Sequence, residues 1–522
     1  MTDTDQEQNF DRPRRWYDAP FWRRAWRGSL VLMFVGMCVW GWLDVRHRGR
    51  MFANPFRHRT DFTVYTEAGS AFFDGRDPYE VCSVREWYYL YPPLFAILVS
   101  PLSRLATHDQ VTVWFFISLL FVWGSYREGD RIVRVLRRRD SGLARRWWGR
   151  WFPWLGFLAA AAAFCPGIDS LQRGQVGVHK LYLLLLGLRI VVQYRSPWMV
   201  ALGGAVLAVP IVIKVTPVLP AGFLLFVMFA GLLRRPGDAA AGRIVERAAS
   251  ARRFAGAAGG LAVGLVVCVM VIPAAAVGWE ANLRHLDKWR RRALTKIDHC
   301  ESVKYFGRAH STRNQELNNA VYCLGNYIAY KRGEGPDDRL ASELHRPEMP
   351  MDHPAAQPAL LAARVVLLLG LFGTGYVMAR AHRGGPPLRR GADAPVLTAE
   401  ASQKGPARRP DGLTLAAAVG LACAAMLVVA PLSRRHYFLF LAPAVLFVPL
   451  WLDRRGLTRT AWALAVVPAV LVNVYYAAQG SLGRVGFLGF GMTAWLVAAM
   501  VLIVVGSRRE WPAEKDAEIP ET

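Results

Sequence analysis

Long apolar stretches, separated by short polar connections, recur along this chain from residue 28 to residue 506. Twelve segments stand out: 28–44, 92–126, 152–168, 176–194, 198–214, 216–233, 255–277, 359–380, 412–430, 435–452, 459–478 and 485–506. A hydrocarbon layer of roughly 30 Å takes about 20 helical residues to cross, and most of these segments are close to that length. They are expected to be helices, because an open sheet edge leaves backbone groups that lipid cannot satisfy. The pattern predicts an all-α polytopic membrane protein with about 12 transmembrane helices. The first segment follows RPRRWYDAPFWRRAWRG and has no small-residue cleavage site after it, so it reads as a retained anchor.

The basic residues orient the helices, since short basic loops stay in the cytoplasm. Five connections are strongly basic: the N-terminal tail, the stretch from Arg127, the stretch from Arg234, Arg380 to Arg409, and DRRGLTR from Asp453. Residues 1–27 and 507–522 then read as cytoplasmic tails around a membrane domain of 28–506. Residues 45–91 form a first outer loop and 279–358 a long one. Parity constrains the region between the tail and Arg127, which must hold an even number of crossings. The segment 92–126 is therefore expected to be one crossing unit, in which the Pro92, Pro93 and Pro101 stretch is a short interfacial helix preceding one true span.

Composition agrees, with 53% hydrophobic residues, 19 Trp and 26 Phe in 522 residues. The net charge of +25 is no sign of nucleic-acid binding, since most Lys and Arg lie in the predicted cytoplasmic loops, where they fix topology and meet anionic headgroups. Nucleic-acid binding is not expected. The seven cysteines show no metal-ligating spacing. Cys82, Cys300 and Cys323 fall in predicted outer segments; a Cys300 to Cys323 bridge and an unpaired buried thiol are both open readings.

Polar residues that membrane segments usually exclude collect at one predicted face. They are Asp61 and GRDPY (75–79) in the first outer loop; Asp169, Gln172, Arg173, Gly174 and Gln175 in the second; and Lys214 at the outer end of its helix. His310, Arg313, Asn314 and Gln315 in the long loop join them, with Arg434, Arg435 and His436 beside the segment that starts at 435. Lys214 alone could be a snorkelling lysine. Arg434 and Arg435 run against the positive-inside pattern, and Asp74 and Asp77 read as turn formers.

In order along the chain, TDFTVYTEAGSAFFDGRDPY, YLYPPLFAILVSPL, SLQRGQVGVHKLYLLLLGL, VIKVTPVLPAGFLL, RNQELNNAVY and APLSRRHYFLFL resemble the signatures of glycosyltransferase family 87, in the GT-C superfamily of polytopic membrane glycosyltransferases. The resemblance spans roughly residues 28 to 505. It departs at two places: Asn314-Gln315-Glu316 stands where the family often has NQS, and Ser433-Arg434-Arg435-His436-Tyr437 where it often has W-x-HH. The donor sugar and the acceptor therefore stay open.

The resemblance implies a GT-C-type fold whose outer loops bear short interfacial helices. It implies inverting transfer of a sugar, mannose first, from a polyprenyl-phosphate-linked donor to a glycolipid or envelope-glycan acceptor. The setting is the outer face of a bacterial cytoplasmic membrane, and the acid early in the first outer loop, here Asp61, is the catalytic base, with His436 near a phosphate. Arabinofuranosyl or another hexosyl transfer is the nearest alternative, and a lipid or solute transporter is the alternative of another class.

The residues support this chemistry independently. A sugar–sugar leaving group needs a paired acid and base, whereas a phosphate leaves as a stable anion. Such a site needs one carboxylate to take the acceptor proton and cations to hold the phosphate. Asp61 is the expected base, with Glu67 in reserve; Lys214, Gln175, Arg313, Asn314, Gln315, Arg435 and His436 are the expected substrate contacts. No cofactor is expected, and metal independence follows from cations doing that work.

Overall fold

The computed structural model describes residues 20–50, 60–81, 88–139, 148–233, 241–291, 317–332, 356–381, 411–430, 433–483 and 485–508. These residues form helices joined by short turns, with no β-strand among them. Helices stand at all twelve segments picked out by hydropathy. Seven are long and apolar enough to cross a membrane: Trp154–Gln172, Arg247–Val277, Pro358–Arg380, Gly412–Val429, Arg435–Arg454, Thr458–Ala477 and Phe487–Arg508. This is an all-α polytopic membrane protein.

In chain order the helices are α1 (Pro20–Arg50), α2 (Phe62–Phe73), α3 (Pro93–Val99), α4 (Thr107–Arg139), α5 (Trp148–Gln172), α6 (Gly177–Gln193), α7 (Pro197–Ile213) and α8 (Val218–Ala230). Then follow α9 (Ala241–Val266), α10 (Ile272–Val277), α11 (Trp279–Arg290), α12 (Leu317–Lys331) and α13 (Ala356–Arg380). The last are α14 (Gly412–Val429), α15 (Leu441–Arg454), α16 (Thr458–Ala477), α17 (Gln479–Leu482) and α18 (Phe487–Arg508).

The parity argument for 92–126 has a structural counterpart. Pro93 starts α3, where its missing N–H is no loss. A 3₁₀ turn, Ser100–Arg104, ends this short element before the 33-residue α4 begins. At 1.5 Å per residue, α3 with its turn is too short to span roughly 30 Å. It lies against α2 instead.

At the centre of the bundle is α14, buried on every side along nearly its whole length. A helix apolar all round is at home only where neighbours cover it on all faces. Here α8, α13, α15 and α18 supply that cover. Asp411 caps its start by accepting the Thr414 amide at 2.8 Å and pairs with Arg454 at the end of α15.

Close contact between α7 and α9 has a readable cause. Gly256, Gly260 and Gly264 recur every fourth residue, so they line one stripe of α9 against Pro197, Ala201 and Ala205 of α7. Small residues at that spacing let helix backbones touch where lipid gives no hydrophobic drive.

Over one end of the bundle lies a cap built from α2, α3 and α11. Asp77 accepts the Tyr79 amide at 2.9 Å in a side-chain turn, and Asp74 accepts from Ser70 at 2.7 Å and from Arg76 at 3.0 Å. Both acids thus shape the loop. Lys288 of α11 ties the cap together by pairing with Asp77 and, at 3.1 Å, with Glu80. Burial pushes the Asp77 carboxyl up, but the Lys288 ammonium and the Tyr79 amide overcome this and hold it below the usual range. Trp289 of α11 donates to the Leu90 carbonyl at 3.2 Å.

Candidate active site

Asp61 sits where the chain turns into α2, buried at 5% exposure. Its backbone amide donates to the Arg173 carbonyl at 2.8 Å, and its Oδ2 accepts from the Gln175 side-chain amide. The partner segment is the turn that ends α5, closed by Gln175 N–H to Ser170 O at 2.9 Å around Gly174 at φ +61°. A Cβ at Gly174 would stand 2.7 Å from both Phe62 Cβ and Thr60 Oγ1, so the two segments interlock at a glycine. Aromatic stacking adds to the hold. Phe62 lies on Trp114 at 4.4 Å, Trp114 lies on His179 at 4.3 Å, and the Trp114 indole donates to Gly174 O at 3.1 Å.

A second group is centred on Asp169, one turn before the end of α5. Its Oδ1 accepts from Arg173 at 3.1 Å and from Arg435 at 2.7 Å, while Oδ2 lies 3.5 Å from His436 Nδ1. Arg435 also donates to Gln479 and stands 5.7 Å over the Tyr476 ring. Burial disfavours the Arg173 charge, but Asp169 and then Asp61 outweigh it and raise its pKa. The imidazole of His436 is 1% exposed, and its Nε2 has no hydrogen-bond partner among the described residues.

Lys214 forms the third group. Its chain follows the end of α7, and its ammonium donates to the hydroxyls of Tyr437 and, at 3.3 Å, Tyr91. Tyr91 in turn shares a 3.0 Å hydrogen bond with Tyr65, one turn along α2 from Asp61. Asp61 acts electrostatically on Tyr65, Tyr91 and Arg173, and Lys214 acts on His436, so the three groups are close neighbours. Helices α2, α5 and α7 and the Arg435–Phe440 turn supply them.

The structure thus brings Asp61, Gln175, Lys214, Arg435 and His436 together. Glu67 is half-buried further along α2, on a different face from the helix start. Arg313, Asn314 and Gln315 lie outside the described residues, as do His310, Cys82 and Cys300; Cys323 is buried on α12. Sequence reasoning gave no role to Lys180, Tyr91 or Tyr437. Lys180 had a visible signal, a charge inside the apolar run GVHKLYLLLL. The tyrosines had none, because a tyrosine near a membrane interface is commonplace.

No curated protein and no solved structure matches this chain. The model of glycosyltransferase family 87 matches residues 89–399. That stretch holds Tyr91, Asp169, Gln175, Lys180 and Lys214, while Asp61 and His436 lie on either side of it and are brought to it by the fold. The match takes in more than half of the 522 residues, and the all-helical membrane architecture is consistent with the GT-C superfamily. The chain belongs to glycosyltransferase family 87.

Proposed function

We propose that this glycosyltransferase moves a sugar, mannose first, from a polyprenyl-phosphate donor to a glycolipid or envelope-glycan acceptor on the outer face of the cytoplasmic membrane, with inversion. The acceptor hydroxyl attacks the anomeric carbon, Asp61 takes its proton, and the bond from that carbon to the phosphate oxygen breaks with its electron pair on the phosphate. Products are the glycosylated acceptor and polyprenyl phosphate. Cationic side chains stabilise the departing charge, so the reading needs no metal ion or cofactor.

One observation carries it. A buried carboxylate, Asp61, lies near Tyr91, and Tyr91 and Tyr437 supply the hydroxyls that hold a lysine, Lys214, with no carboxylate of its own among the described residues. A cation offset by a carboxylate has little attraction left for a phosphate, and Asp169 already plays that part for Arg435 and Arg173. Lys214 keeps its charge for a ligand, and the unmatched Nε2 of His436 supplies a further polar contact. Arg435 holds the frame, and Arg313, Asn314 and Gln315 remain proposed contacts from the long loop.

The test is transfer from labelled polyprenyl-phosphate mannose by the purified chain. Asp61→Asn should be folded and inactive, and Glu67→Gln active. The opposite pair of results moves the base to Glu67. An arabinofuranosyl donor used in place of mannose corrects the sugar alone. A deletion strain with unchanged envelope glycans and an altered solute would instead favour transport.

A further inference from the structure

Lys180 is a buried lysine that the reaction as described does not use. It projects from the apolar helix α6 and is fully buried. Its ammonium makes a single hydrogen bond among the described residues, to Thr216 Oγ1 at 3.1 Å. Otherwise it faces the rings of Tyr437 at 5.1 Å and Phe440 at 5.4 Å. An ammonium has three donors, and two of these have no acceptor. Neither it nor Lys214 has a carboxylate partner among the described residues.

The two lysines share a neighbour. Lys214 Nζ lies 4.6 Å from the centre of the same Tyr437 ring and donates to its hydroxyl, so two amino groups flank one phenol. A charge on one opposes a charge on the other, and an entering anion makes both favourable. Thr216 adds direction. Its oxygen accepts from Lys180, so its own proton is left to donate to a ligand, and it stands two residues after Lys214.

We propose that Lys180, Thr216 and Lys214 together seat the phosphate of the donor, and that Lys180 is matched to the leaving group more than to the donor. The inference rests on the polyprenyl-phosphate reading given above. In the donor the phosphate is a diester with one negative charge. When the bond to the anomeric carbon breaks, the electron pair stays on the phosphate oxygen, and the monoester product carries nearly two. One lysine meets the donor's charge, and a second is called upon only as the bond breaks. A contact that strengthens in this way lowers the barrier without tightening the ground state.

Binding alone can test this, before the sugar is known. The probes are farnesyl phosphate, a monoester, and its methyl ester, a diester, titrated against the full chain in detergent at about pH 8, above the monoester's second pKa of about 6. The wild-type protein should prefer the monoester. Lys180→Met should lose that preference by about tenfold or more, the scale of one charge-assisted hydrogen bond, while diester affinity changes little and the unfolding midpoint holds or rises. A buried charge replaced by an apolar side chain of similar length is tolerated in this way. Lys214→Met should weaken both probes. Preference retained in Lys180→Met, with both probes weakened in Lys214→Met, would overturn the role of Lys180 and leave the donor reading standing. A lowered midpoint with unchanged preference would make Lys180 a strut for Thr216. Wild-type protein that binds neither probe would overturn the donor reading and this assignment together.

Discussion

Replacing Asp169 by Asn changes one oxygen for an amide and removes the charge on which Arg173, Arg435 and His436 converge. The acid is buried, and both guanidiniums are mostly covered, with side-chain exposures of 17% and 16%. After substitution the two arginines face each other with their shared partner gone. Removing one member of a buried pair leaves an uncompensated charge and typically costs about 3–5 kcal/mol. Arg435 keeps Gln479 and the Tyr476 ring, which places the expected loss toward the lower end, about 3 kcal/mol. If pairing is the cause, the penalty is not additive. Asp169→Asn combined with Arg435→Gln should be less destabilised than the two singles summed, by about 1–3 kcal/mol, as expected for residues in one network. The assay is unfolding in mixed micelles followed by tryptophan fluorescence, with Asp74→Asn as the exposed-pair control, expected to leave the midpoint unchanged. Additivity to within about 0.5 kcal/mol would refute the reasoning, because it would mean that Asp169 and Arg435 are neighbours without being coupled.

Other expectations follow from the same geometry. Asp61→Asn keeps an oxygen for the Gln175 amide, so transfer should fall by about 10²–10⁴-fold, the usual share of a general base, at an unchanged unfolding midpoint; a fall in both would show a structural role instead. Gly174→Ala puts a methyl group against Phe62 and Thr60 and forces a positive φ on alanine. It should cost about 1–3 kcal/mol and reduce activity by shifting Asp61, with a crystal or cryo-EM comparison of the turn as the check. The Asp77 to Lys288 tie should respond to pH. Asp77 has a depressed pKa, so its contribution is complete above the unfolded value of about 4 and is lost as pH falls through the folded one. Lys288 has a raised pKa, so its share persists up to about pH 10 and is lost as pH rises through its folded value. Protection of α11 amides, the intrinsic exchange rate relative to the observed rate at the same pH, should therefore be greatest between these limits and weaker in high salt, since Lys288 is half exposed. Protection unchanged at pH 3 would remove the tie from consideration.

Much of the molecule is legible in its one-dimensional pattern. Apolar runs as long as the membrane is thick predict helices, because lipid admits few other backbones, and helices stand at every one of them. The double proline at 92–93 and the parity of basic loops predict a short element before α4, and Pro93 starts one. Turn chemistry at Asp74 and Asp77 is equally local: Asp77 reaches an amide two residues away and Asp74 the side chains of Ser70 and Arg76, which needs nothing from the rest of the fold.

The pairing of site residues is another matter. Asp61 meets Gln175 across 114 positions, Lys214 meets Tyr437 across 223, and Arg435 meets Asp169 across 266. Hydropathy could place these residues toward one face, but it could not say which cation is offset by a carboxylate and which is held by tyrosines. Arg435 and Lys214 look equivalent in the sequence, and the fold gives one to Asp169 and the other to tyrosine hydroxyls. Lys180 looked like part of an apolar helix. By itself the sequence determined that this is a helical membrane protein of a glycosyltransferase family and named most of the side chains of the candidate site, because those readings depend on local composition, length and motif. Only the tertiary structure decided which charges are spent on one another and which remain, because the strength of a charge in a dry interior is set by neighbours that helix packing, and not chain order, brings within a few ångströms.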